Sequence, residues 1–185
     1  MRNFFTLPNL LSLARIALGA AAMLAIAAGS LTVAAALIVT GALTAIATRC
    51  LKTPADPGKS LDATCDAIFQ LAVFLAFLIK GWMPLWAALC VYSCEIALPY
   101  LRSFARQFEA QRSPRIFEQI KSAAFWASLL AAGLIAAVLG PDVAVQGVPV
   151  LLAIFVVDAA LALVMLAVFL QVLVQAKRHM ATSGR

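Results

Sequence analysis

Six apolar segments, separated by short stretches of glycine, proline or basic residues, constrain the fold of this chain more than any other feature. The segments lie roughly at 7–28, 31–49, 62–79, 83–101, 119–139 and 148–175. Each is close to the length of about 20 residues that a helix needs to cross a bilayer. Only 12% of the residues are charged, about half the share of a soluble domain. The sequence therefore predicts an all-α integral membrane protein, with six transmembrane helices forming a single domain over residues 1–185.

The distribution of basic residues predicts how these helices are oriented. Six spans place both termini on one side of the membrane, and 13 of the 14 Lys and Arg residues fall on that side, with only Lys80 opposite. Because cytoplasmic loops are enriched in Lys and Arg, both termini are predicted to be cytoplasmic. We expect the chain in the bacterial inner (cytoplasmic) membrane. The basic residues are spread over short loops, so nucleic acid is not an expected partner.

Ionisable residues inside the apolar segments are the candidate functional residues, because a charge within a transmembrane helix is costly. They are Arg15, Arg49, Asp62, Asp66, Glu95 and Asp158. All but Asp158 lie toward the predicted cytoplasmic side and, if they converge, would form a polar pocket there. For Glu95 and Asp158, a structural role in helix packing is an equally good interpretation.

The two carboxylates of the third segment carry the strongest chemical signal. Asp62 and Asp66 are four residues apart and so share one helix face. Two like charges one turn apart repel each other, and a nearby cation or base would explain them. Carboxylate oxygens suit hard divalent cations such as Mg²⁺ or Mn²⁺. The pair is therefore a candidate metal site.

The spacing around these carboxylates resembles a family signature. Arg49 is followed by eight residues, then Gly58, three residues, Asp62, three residues and Asp66. This is similar to the second half of D-x-x-D-G-x-x-A-R, eight residues, G-x-x-x-D-x-x-x-D, the signature of the CDP-alcohol phosphatidyltransferase family. The first half departs from it: the two acids fall on Gly41 and Thr44, the Gly on Ala45 and the Ala on Thr48.

Other parts of the chain resemble the same family. Pro8-Asn9, followed by a serine and Arg15, is similar to its usual opening. Glu95 with Arg102, and Lys121 with Ser122, resemble elements of phosphatidylglycerophosphate synthases, although Cys94 and Phe125 replace an Arg and a Gln expected there. Six spans with a cytoplasmic site are also the architecture that the family implies.

The resemblance implies an activity and roles for individual residues. The family displaces CMP from CDP-diacylglycerol with an alcohol such as glycerol 3-phosphate, using two divalent metals. By implication, Asp62 and Asp66 would be metal ligands, and Asp66 the general base on the attacking hydroxyl. Phosphate or substrate contacts are implied for Arg15, Arg49, Gly58, Lys59, Arg102 and Lys121.

The missing acids divide the functional hypotheses. Gly41 offers no metal ligand and Thr44 offers only a hydroxyl, so the metal set is incomplete, with Mg²⁺ or Mn²⁺ expected if any metal is bound. We therefore favour a catalytically impaired or inactive member that binds membrane phospholipid or CDP-diacylglycerol, as a homodimer or as a subunit of a membrane complex. The alternative is an active metal-dependent phosphatidyltransferase. A six-helix transporter is disfavoured, because the sequence has no internal repeat.

Overall fold

Six long α-helices make up nearly all of the regular structure. The computed structural model describes residues 6–51, 59–107, 115–143 and 147–182. In chain order the helices are α1 (Leu7–Ala27), α2 (Leu31–Leu51), α3 (Lys59–Ile79), α4 (Leu85–Gln107), α5 (Arg115–Leu139) and α6 (Val148–Thr182), with a single 3₁₀ turn at Gly140–Asp142. Every regular element within the described residues is helical, which confirms the predicted fold class.

Two of the helix ends are built in the same way, and each produces a tight connection. Gly29 and Gly81 have φ of 81° and 73°, the left-handed conformation that glycine adopts without strain. After α1, Ser30 N–H donates to Ala25 O and Gly29 N–H to Ile26 O; after α3, Trp82 N–H donates to Phe77 O. This is the Schellman pattern, which satisfies the last carbonyls of a helix. The sharp stops account for the short connections predicted there.

Most of the helices meet the length and hydropathy expected of a membrane span. Five candidate spans are found among the described residues: Leu7–Ala27, Leu31–Leu51, Leu61–Ile79, Ile120–Leu139 and Val148–Gln171. In α4, the described apolar stretch runs from Leu85 to Ala97. The predicted apolar segments end at about 101 and resume at about 119, whereas α4 extends to Gln107 and α5 begins at Arg115.

The helices pack around a core of aromatic and small side chains. Helix α1 packs chiefly against α2 and α3, while α5 joins α2, and α6 covers α4. The centre holds buried rings from α3, α5 and α6, with Phe74 edge-on to both Phe125 and Phe155. Large apolar residues such as Leu24, Leu134 and Val138 are exposed instead, as expected of surfaces that face lipid.

Candidate functional site

Arg15 is the centre of the polar site that α1, α2 and α3 enclose. Its side chain is fully buried. The Nη1 atom donates to Asp66 Oδ1 and, at 3.2 Å, to Asp62 Oδ1. The Nη2 atom donates to Thr44 O at 3.2 Å and to Thr48 Oγ1 at 2.9 Å. The guanidinium therefore bridges α3 to α2 with charge-assisted hydrogen bonds, which are stronger than neutral ones.

The two carboxylates face this guanidinium from one side of α3, as their spacing predicts. The side chains of Asp62 and Asp66 are 13% and 11% exposed. Ser12 Oγ lies 2.9 Å from Asp62 Oδ1 and 2.9 Å from Pro8 O. The carboxylate pair is thus held by α1 residues, with a small opening to the surroundings.

Arg49 lies at the edge of the same site and has a different environment. Its Nη2 atom donates to Ser122 Oγ at 2.9 Å and lies 3.6 Å from Asp66 Oδ2. The side chain is 51% exposed, whereas that of Arg15 is fully covered. Arg49 is therefore the guanidinium that a phosphate approaching this edge of the site could reach.

The position of the first missing acid is covered by an aromatic ring. A Cβ placed on Gly41 would lie 2.6 Å from both Cε2 and Cζ of Phe69, closer than nonbonded carbons approach. A Cβ on Gly19 would lie 2.9 Å from the backbone Cα of the same phenylalanine. The ring is fully buried and packs against Trp126, with ring centroids 5.0 Å apart and ring planes tilted by 31°. We call this packing of Phe69 on Gly19 and Gly41 the Phe69 contact.

The position of the second missing acid does not supply a ligand either. Thr44 Oγ1 donates to Gly41 O at 2.7 Å, within its own helix. No group of three or more His, Cys, Asp or Glu side chains that could hold a metal occurs in the described part of the chain. With Phe69 against Gly41 and Arg15 between the carboxylates, the residues here do not fit the two-metal site that the family implies.

Glu95 and Lys121 form a pair of their own. Lys121 Nζ donates to Glu95 Oε1, and both side chains are only 9% exposed. The ammonium also lies 5.4 Å from the centre of the Phe125 ring. The structure thus joins α4 to α5 through a nearly buried ion pair, and it places Lys121 beside Glu95.

The remaining predicted site residues are only partly described. Lys59 begins α3 and Arg102 lies in α4, but their side chains are outside the described part. Gly58 lies outside the described residues.

Asp158 stands apart from the Arg15 site. It is fully buried in α6, and Ser128 Oγ of α5 donates to its Oδ1 at 2.8 Å. Its Oδ2 has no hydrogen-bond partner among the described residues. The bond links α5 to α6, in keeping with the packing interpretation.

Sequence reasoning gave no site role to Phe69, to Thr48, whose hydroxyl accepts from Arg15, or to Ser12, whose hydroxyl contacts Asp62. The signal for Phe69 was present, because it follows Asp66 by three residues and therefore shares its helix face. The glycines at positions 19 and 41 could have indicated a close helix approach. The sequence does not show how deep α1, α2 and α3 lie relative to one another. That relative depth decides which glycine the Phe69 ring contacts.

Comparison with known proteins gives a family match over most of the chain. The family model described as CDP-alcohol phosphatidyltransferase matches residues 5–173. No curated protein and no solved structure matches the chain.

Proposed function

The chain belongs to the CDP-alcohol phosphatidyltransferase family, and we propose that it is a non-catalytic member that binds the phosphate of CDP-diacylglycerol or of another anionic phospholipid. Membership makes it a membrane protein of phospholipid metabolism. The observation that carries the non-catalytic part is the Phe69 contact, because an aromatic ring lies against Gly41 where the signature has its first acid.

The loss of metal ligands argues against phosphatidyl transfer. In metal-assisted phosphoryl chemistry the ions stabilise the charge that develops on the transferring group. Removing a single electrostatic stabiliser typically costs about 10²–10³ in rate. Here two ligand positions are absent, and the carboxylates that remain contact Arg15. An active enzyme that works with one metal is the alternative, and CMP release would reveal it.

Arg49 supports the lipid-binding part of the proposal. Half of its side chain is exposed, and a guanidinium can bind phosphate oxygens with two parallel hydrogen bonds. Ser122 orients it from α5. In the orientation that the basic residues predict, Arg49 lies at the level of the cytoplasmic headgroups, where anionic lipids concentrate. We further propose that the chain resides in the bacterial inner membrane with this site facing the cytoplasm.

The binding proposal is tested by titrating purified protein in detergent with fluorescent CDP-diacylglycerol. Wild type should bind saturably, and Arg49→Ala should weaken binding by roughly tenfold, the value of one charge-assisted hydrogen bond. The matched control is Lys80→Ala, because Lys80 is an exposed cation just after α3, far along the helix from the carboxylates. Equal binding by Arg49→Ala and wild type, or a lack of saturable binding, would contradict the proposal.

Assembly is a separate proposal. We propose that the chain works as a homodimer or as one subunit of a membrane complex, because its small-residue helix faces permit close packing. Light scattering on the purified protein, corrected for detergent, distinguishes a dimer from a monomer. A monomer that co-purifies with no other protein from its native membrane would contradict both forms of assembly.

A further inference from the structure

The carboxylate pair already has a cation between its two members. Arg15 Nη1 contacts both Asp62 Oδ1 and Asp66 Oδ1, and no part of the Arg15 side chain is exposed. The pair therefore has the partner that two like charges one turn apart require. That partner is part of the chain itself.

The neighbouring helix holds this cation in place. Thr44 O and Thr48 Oγ1 both accept from Arg15 Nη2. Thr48 Oγ1 donates in turn to Thr44 O at 2.6 Å, which fixes its lone pairs toward the guanidinium. Thr48 stands where the signature has an alanine, and an alanine could not accept this bond. The threonine at this departure from the signature therefore adds a hydrogen bond that holds the Arg15 guanidinium in place.

The described charges of the site balance without any added ion. Asp62 and Asp66 contribute two negative charges, and Arg15 and Arg49, both within 3.6 Å of a carboxylate oxygen, contribute two positive charges. With no phosphate bound, a divalent cation would either leave this mostly buried site with two excess positive charges or displace the fully buried Arg15. Both are costly, because an unpaired charge removed from water is strongly unfavourable.

We propose that Arg15 is a built-in cation that takes the place of a divalent metal, so that Asp62 and Asp66 form a structural ion pair network and the site needs no metal. The metal part of this inference follows from the contacts alone. One further expectation rests on the proposed function: the site should bind a phospholipid phosphate when no divalent ion is present.

Thermal unfolding of the purified protein in detergent, with EDTA or with millimolar MgCl₂ or MnCl₂, tests the proposal. Wild type should melt at the same temperature in all three conditions. Arg15→Gln removes the buried cation between the carboxylates and leaves only the half-exposed Arg49 beside Asp66, so this variant should melt lower in EDTA by on the order of 10 °C. Mg²⁺ or Mn²⁺ should restore part of that loss. Adding Asp62→Asn to Arg15→Gln should abolish the metal response, because one carboxylate no longer needs a cation.

Mn²⁺ binding by the wild-type protein provides a second measurement, which does not depend on the folding of Arg15→Gln. Equilibrium dialysis with Mn²⁺ should give no more bound ion for wild type than for Asp62→Asn. Stoichiometric Mn²⁺ binding that Asp62→Asn removes, or an Arg15→Gln chain that melts like wild type in EDTA, would overturn the proposal. Lipid titration in EDTA distinguishes failure of the proposed function from failure of the built-in cation. If wild type binds no lipid and its melting temperature does not respond to metal, only the proposed function is refuted. If the melting temperature of wild type depends on metal, the built-in cation is refuted.

Discussion

Replacing Gly41 with alanine probes the Phe69 contact most simply. The added Cβ would lie 2.6 Å from two ring carbons of Phe69, against the 3.4–4 Å of ordinary contact. The ring has little room to withdraw, because the backbone of Phe69 lies close to Gly19 and its ring packs against that of Trp126, with 5.0 Å between the ring centroids. The alanine therefore overpacks the junction of α1, α2 and α3.

The size of the effect follows from two opposing terms. Overpacking a well-packed core typically costs about 1–3 kcal/mol. Exchanging a helical glycine for alanine returns about 0.5–1 kcal/mol. We expect Gly41→Ala to lose about 1–2 kcal/mol, which corresponds to roughly 2–8 °C in melting temperature for a chain of this length. Gly41→Asp should lose several kcal/mol more, because its carboxylate would be buried against a ring without a partner.

Buried thiols provide the assay. Cys65 and Cys94 are buried and Cys50 is exposed, so a thiol-reactive dye applied to a Cys50→Ser/Cys90→Ser background reports unfolding. Gly133→Ala is the matched control, because its Cβ would come close only to the flexible end of Ile38, at 2.9 Å, and would lie 3.8 Å from the nearest backbone atom. Relieving the clash with Phe69→Leu should make the loss from Gly41→Ala smaller by about 1 kcal/mol in a double-mutant cycle.

The opposite ranking would refute this reasoning. If Gly41→Ala melts at or above wild type, or no lower than Gly133→Ala, the ring does not press on Gly41 and the first acid position is open. The same packing predicts the result of restoring the two acids of the signature. Gly41→Asp with Thr44→Asp should recover neither metal binding nor activity unless Phe69 is also replaced by a small residue, because its ring lies against position 41.

Two further predictions concern the buried polar pairs. Ser128→Ala should destabilise the protein by about 1–3 kcal/mol, because it leaves the buried Oδ1 of Asp158 without its hydrogen bond. In an Asp158→Leu background, thermal unfolding should show almost no loss from Ser128→Ala. An undiminished loss there would contradict the pairing. Lys121→Met should lower the free energy of unfolding by about 3–5 kcal/mol, because it leaves the nearly buried Glu95 without its ion-pair partner. The double variant Glu95→Leu/Lys121→Met should recover most of that loss. If the double variant melts as low as Lys121→Met, the two side chains do not act as a pair.

The helices were predictable because their determinants are local. Apolar length sets each helix, and glycines such as Gly29 and Gly81 end two of them with backbone conformations that other residues avoid. The facing of Asp62 and Asp66 was predictable for the same reason, since a spacing of four residues fixes one helix face. Helix ends in the basic stretch were not, because polar residues can extend a helix beyond the apolar segment.

Contacts between helices were harder to predict, because they depend on depth and rotation. The sequence placed Arg15 among the residues of a polar pocket, but it did not predict that the guanidinium would contact both carboxylates. It associated Glu95 with Arg102 through the family resemblance, but it did not predict that Glu95 pairs with Lys121 of the next helix. The spacing of Phe69 from Asp66 indicates a shared helix face, but only the packing of the helices shows that its ring lies against Gly41.

The central claim is that this family member binds its lipid but does not transfer the phosphatidyl group. The most direct measurement follows CDP-diacylglycerol binding and CMP release in one sample of purified protein, with glycerol 3-phosphate and Mg²⁺ or Mn²⁺ supplied. We expect saturable binding, with CMP release no greater than in protein-free vesicles. Metal-dependent CMP release that Asp66→Asn abolishes would contradict the claim and identify an active transferase.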